Sequence, residues 1–104
     1  MEADRDRRFL CLYEAHHRAV YAYFKRRIDS ESARDGTVET FLVAWRRIDK
    51  IPEGDRALPW LYGVARRVLA NQRRARKRRG RLINRLARLS VETAPSATSV
   101  FRRV

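Results

Sequence analysis

Between Pro59 and Gly80 the chain reads Pro-Trp-Leu-Tyr-Gly-Val-Ala-Arg-Arg-Val-Leu-Ala-Asn-Gln-Arg-Arg-Ala-Arg-Lys-Arg-Arg-Gly. Apolar residues three and four positions apart in a stretch of that length impose a helix with two unlike faces. At about 100° per residue, Leu61, Val64, Ala65, Val68 and Ala75 share one stripe, and Arg66, Arg67, Arg73, Arg74, Lys77 and Arg78 share the opposite one. Pro59 suits a first helical position and Gly80 a stop, so the spacing predicts a helix over 59–80. The basic face holds no acid, and like charges at these spacings repel by a few tenths of a kcal/mol per pair. A polyanion would relieve that repulsion; a solvated charged face is the plain alternative. Gly63 and Ala70 keep the centre of this face small. Glycine costs roughly 1 kcal/mol against alanine inside a helix, a cost that close approach by a partner would offset.

The length of 104 residues supports one domain, in which about 60–65% of the unfolded chain's surface becomes buried. Of the formal net charge of +13, almost all lies late in the chain: residues 1–60 carry twelve Lys/Arg against eleven Asp/Glu, and residues 61–104 carry thirteen against the single Glu92. Such a field attracts nucleic acid, an anionic membrane surface or acidic protein. Membrane insertion is not expected, because no uncharged run reaches the roughly 20 residues that a spanning helix needs. The N-terminal Met-Glu-Ala-Asp-Arg-Asp-Arg-Arg has no apolar signal segment, and Cys11 is the single cysteine, so no internal disulfide can form. These features describe a cytoplasmic protein.

Upstream, Phe9, Leu12, Tyr13, His16, Val20, Tyr23 and Phe24 recur at helical steps, predicting a helix from about Asp4 to Arg27. His16 reads as a packed histidine, since no titratable partner accompanies it. Cys11 projects off the stripe. Asp29 and Ser30 offer caps for a second helix over about 31–48, with Ala33, Thr37, Phe41, Ala44, Trp45 and Ile48 on its core face. Its other side carries Asp35, Glu39, Val43 and Arg46, either a solvated stripe or a contact surface for a basic partner helix; Gly36 weakens the helix by roughly 1 kcal/mol relative to alanine. Pro52 and Gly54 make 49–58 a loop. After Gly80, the residues Leu82, Ile83, Leu86 and Leu89 suggest a short amphipathic helix over about 81–89, and from Ser90 the composition is that of a linker. The expected fold class is all-α, a compact bundle of three to four helices, with a domain over 1–89 and a linker-like tail over 90–104.

No phosphate loop, carboxylate pair, Ser/His/Asp arrangement or metal spacing occurs, so neither catalysis nor a cofactor or metal is expected. What remains is a basic helix with aromatic residues at its entrance. Trp60 and Tyr62 flank the apolar stripe, and bases stacked on aromatic rings gain about 1–3 kcal/mol each, so single-stranded or melted nucleic acid fits. Trp60 can equally be a packing residue at the helix start.

Three blocks then stand in order: Phe9-x-x-Leu12-Tyr13-x-x-His16-x-x-x-Val20-x-x-Tyr23-Phe24; Ala33-x-Asp35-x-x-x-Glu39-Thr40-Phe41-Leu42-x-Ala44-Trp45-Arg46-Arg47; and Pro59-Trp60-Leu61-Tyr62-Gly63-Val64-Ala65-Arg66-Arg67-Val68-Leu69-Ala70-Asn71. Together they resemble the second conserved region of bacterial extracytoplasmic-function sigma factors, in register over roughly 9–89. The resemblance implies a helical bundle that docks on core RNA polymerase and engages the minus-ten promoter element. It assigns Asp35, Glu39, Leu42, Val43 and Arg46 to the coiled-coil clamp helices of the beta-prime subunit. The loop over 50–58 would hold a non-template base flipped from the duplex, with Asp55, Arg56, Trp60 and Asn71 as base-reading candidates. Arg66, Arg67, Arg73, Arg74 and Arg78, with Lys77 on the same face, would follow the phosphates of the single strand. An anti-sigma factor is a further implied partner.

The sequence departs from the family pattern at Arg34, Gly36 and Val38, where Glu, a branched aliphatic and Gln are usual, at Val43, often arginine, and at Asn71, often aspartate. No counterpart of the family's second, minus-thirty-five-reading domain follows Val91. Two other readings stay open: a sigma-like interaction protein that competes for polymerase or an anti-sigma partner without opening promoters, and a basic helical module binding nucleic acid by charge alone.

Overall fold

The computed structural model describes residues 2–93. Three α-helices account for nearly all of them: α1, Glu2–Lys25; α2, Ser30–Arg46; and α3, Ala57–Thr93, with short 3-10 turns at Ile48–Lys50 and Gly54–Arg56 between the last two. The helical bundle class is as expected, and no strand occurs among the described residues. Two compact units divide the chain, Met1–Gln72 and Arg73–Val104.

In the first unit, α1 carries Glu2 and Asp4 in its first turn and Lys25 in its last, each opposite in sign to the adjacent end of the helix dipole. It closes where the amides of Arg27 and Ile28 both donate to the carbonyl of Phe24, at 2.9 Å, so Arg26 and Arg27 lie in a turn rather than in the helix as predicted. Asp29 then caps α2 by accepting from the amide of Ser32 at 3.1 Å. The helix ends at Arg46, and Ile48 reaches the core from the following 3-10 turn.

The core gathers Val20 and Phe24 from α1, Ala33, Phe41 and Ala44 from α2, Ile48 and Ile51 from the connection, and Ala57, Leu61, Ala65, Val68 and Leu69 from α3. Gly36, which reads from sequence only as a weak point, is buried: a Cβ there would meet Cε1 of Phe24 at 2.7 Å. The cost in helix propensity is the condition for seating a phenyl ring directly against the α2 backbone. Two buried hydroxyls on the same face are satisfied locally, Thr37 donating to the Ala33 carbonyl and Thr40 to that of Gly36, both at 2.7 Å. Trp45 is half-buried rather than fully enclosed, edge-on to Phe9 at 5.3 Å with the guanidinium of Arg5 over its ring. Tyr13 falls at the exposed margin of its stripe, stacked on His17.

The third helix departs furthest from expectation. It begins at Ala57, which places Pro59 third, where its missing N–H is one that no helix start can satisfy internally. It does not stop at Gly80 but continues through the segment predicted as separate and through Ser90 to Thr93. Among the described residues only Gly54 has a positive φ, 68°, so Gly80 does not take the left-handed conformation with which glycine ends a helix. A helical glycine costs about 1 kcal/mol, less than breaking and renucleating the ladder. In the second unit, Ala75 is exposed rather than buried, and Leu82, Ile83, Leu86, Leu89 and Val91 are exposed as well. The remainder of the predicted tail, from Ala94 on, lies outside the described residues.

Candidate nucleic-acid interface and docking face

Burial of Leu61, Ala65, Val68 and Leu69 fixes the rotation of α3 within the first unit. That rotation leaves Arg66, Arg67 and Asn71 exposed. In the second unit Arg73, Arg74, Lys77 and Arg78 are all exposed, joined by Arg76 and Arg79. No carboxylate side chain occurs on α3 before Glu92, so its own turns offer these cations no acid at the three- and four-residue spacings where helical ion pairs form.

The connection ahead of α3 is held from both sides. Ile48, Ile51 and Ala57 are buried, and the Arg8 guanidinium of α1 donates to the Ile51 carbonyl at 2.5 Å and lies 3.8 Å from the Glu53 carboxylate. Gly54, at positive φ, turns the chain so that Asp55 and Arg56 occupy an exposed 3-10 turn. A groove of about 270 Å³ runs beside this connection, with Cys11 and His16 of α1 in its wall. His16 is thus half-buried at a groove edge, not enclosed in the core. Trp60 packs against the core cluster and is half-buried, so part of its ring is already committed to stability. Of the base-reading candidates, Asp55, Arg56 and Asn71 are exposed and Trp60 is partly available.

On α2 the five residues singled out for docking come together. Asp35, Glu39, Leu42, Val43 and Arg46 line one surface groove of about 340 Å³, with Val38 as its sixth member. Val38 and Leu42 are 62% and 49% exposed, and apolar side chains left in water between acids suit a partner with an apolar stripe and basic flanks. Sequence reasoning passed over Val38 as a docking residue, though its place three beyond Asp35 and four before Leu42 puts it on that face. It also missed a cluster where α1 meets α3: Tyr23, Arg26 and Arg27 with Tyr62 and Arg66. Tyr23 counts there as core and the two arginines as a helix end, so nothing in the spacing brings them to Arg66.

Among the described residues no group of three or more His, Cys, Asp or Glu is placed to hold a metal ion, and no helix is long and apolar enough to cross a membrane.

The family model of sigma-70 region 2 matches residues 12–79. That span runs from α1 through α2 and the connection into α3, and contains every residue of the candidate docking and nucleic-acid faces. The chain belongs to the sigma-70 region 2 family, whose domains are non-catalytic elements of transcription initiation. No curated protein matches the chain, and no solved structure does.

Proposed function

We propose that the chain is the polymerase-binding and promoter-opening domain of a cytoplasmic sigma factor of the extracytoplasmic-function type. The observation that carries this reading is the match over residues 12–79, which takes in two chemically opposite surfaces. Asp35, Val38, Glu39, Leu42, Val43 and Arg46 of α2 dock on the clamp helices of the beta-prime subunit. Gly36, a departure from the family pattern, faces Phe24, so it leaves this outer surface unaltered.

The exposed turn at Asp55 and Arg56, with Trp60 and Asn71, receives a non-template base of the minus-ten element. Arg66 and Arg67 of the first unit bind phosphates of the strand, and Arg73, Arg74, Lys77 and Arg78 of the second bind phosphates in their own right. Unstacking a base costs a few kcal/mol; a preformed connection and charge-assisted phosphate contacts offset that cost, so capture of the separated strand keeps the duplex open. The functional domain extends to about Leu89. An anti-sigma factor would compete for the α2 face.

The test is co-purification with bacterial core RNA polymerase at moderate salt, wild type beside an Asp35→Lys/Glu39→Lys variant. Retention that the double variant loses by tenfold or more supports the sigma reading. Retention of both proteins would move the docking surface elsewhere. Absence of binding while a single strand is still held would leave a nucleic-acid module that acts by charge alone.

A further inference from the structure

Within the first unit, a shallow groove of about 440 Å³ lies between the C-terminal end of α1 and the start of α3, lined by Ala19, Ala22, Tyr23, Arg26, Arg27, Tyr62 and Arg66. Its rings are in contact, Tyr23 and Tyr62 lying 5.6 Å apart at 42°. Arg27 is fixed: its guanidinium sits 3.9 Å over the Tyr23 ring and donates to the Tyr23 carbonyl at 2.8 Å. Arg26 and Arg66 are exposed, and none of the lining residues is acidic.

Arginines at a helix C-terminus complement the helix dipole, which accounts for Arg26 and Arg27 alone. It does not account for a third guanidinium brought into the same groove from another helix, against two phenol rings and no carboxylate. We infer that this groove is a nucleotide subsite, in which Arg26 and Arg66 each take one of two neighbouring backbone phosphates of single-stranded DNA and the face of Tyr62 takes the adjoining unpaired base. Arginine with an aromatic platform is the combination that holds unpaired strands without regard to sequence. The alanines at 19 and 22 leave room for a sugar. Arg66 belongs both to this groove and to the phosphate-binding face, so the subsite rests on the DNA-binding reading and extends it from α3 onto α1.

The experiment is anisotropy titration of an end-labelled single-stranded deoxyoligonucleotide at several salt concentrations, using the full chain. Arg26→Gln should weaken binding about three- to tenfold and reduce the slope of log affinity against log salt by about 0.7, the share of one phosphate on a single strand. Tyr62→Leu, which keeps apolar bulk beside Tyr23, should lose affinity for the oligonucleotide but not for an abasic strand of equal length. An Arg73→Gln/Arg74→Gln variant separates the two ideas. If it weakens binding while Arg26→Gln leaves slope and affinity at wild-type values, the groove proposal is overturned and the DNA-binding face stands. If wild type holds no strand, both fall. A groove that holds polyglutamate in an Arg26-dependent way, but no oligonucleotide, would also overturn it in favour of an acidic peptide. Should circular dichroism show Tyr62→Leu unfolded, the Arg26→Gln slope decides alone.

Discussion

A methyl group at position 36 would sit 2.7 Å from Cε1 of Phe24, a ring with no solvent exposure. Gly36→Ala therefore sets two terms against each other: a gain of about 1 kcal/mol in helix propensity and an overpacking cost of about 1–3 kcal/mol. Phe24 is hemmed in by its neighbours, so the second term wins. The variant should be destabilised by about 1 kcal/mol in thermal unfolding, and a raised Tm would show that the ring can move aside. Nothing local in the sequence reports this, because the colliding ring arrives from α1. The opposite holds for Asp29 and for Ala33, Phe41 and Ala44, whose cap and core roles follow from chain-local spacing alone. Trp60 shows a limit of another kind. Periodicity places it at the margin of the apolar stripe, and a margin residue divides its ring between core and solvent.

In the proposed reading base capture depends on the connection between α2 and α3, whose register is set from α1. Removing the Arg8 guanidinium takes a donor from the Ile51 carbonyl and the partner from Glu53. Hydrogen bonds to a charged group contribute about 1.5–3 kcal/mol, and the partly buried Ile51 carbonyl regains some of this from water. Arg8→Ala should lower affinity for an unpaired minus-ten strand several-fold while leaving polymerase retention unchanged, since Ile51 and Glu53, the partners Arg8 holds, lie outside α2. Equal loss of both activities would show that Arg8 supports the whole unit instead. The existence of all three helices was legible in the sequence, because each has a long apolar stripe. Their ends were legible only where a side chain makes them: Asp29 at the start of α2, but not Gly80, whose meaning depends on a backbone conformation that composition does not reveal.

Charge is a property of the whole molecule, and its segregation decides how the protein meets nucleic acid. If the six cations from Arg66 to Arg78 each neutralise a phosphate, log affinity for a single strand should fall against log salt with a slope of roughly −4; a slope near zero would remove the phosphate assignment. That the α2 stripe and the arginine-rich side of α3 face outward was legible in residue pattern, since an outward face needs no knowledge of what packs inward. The groove at Tyr23 and Tyr62 was not, because it exists only once two helices meet.

The second unit exposes Leu82, Ile83, Leu86 and Leu89 on a segment whose cations include Arg78, Arg81, Arg85 and Arg88. Free in solution, copies are held apart by mutual repulsion, and the leucine stripe is harmless. A bound polyanion cancels that repulsion without covering the stripe, so colloidal stability is lost where the charges balance. Mixtures with DNA should turn turbid near electrical equivalence and clear again with an excess of either component, and Leu82→Gln/Leu86→Gln should narrow that turbid window. The charges that hold copies apart are the ones a bound polyanion would cancel.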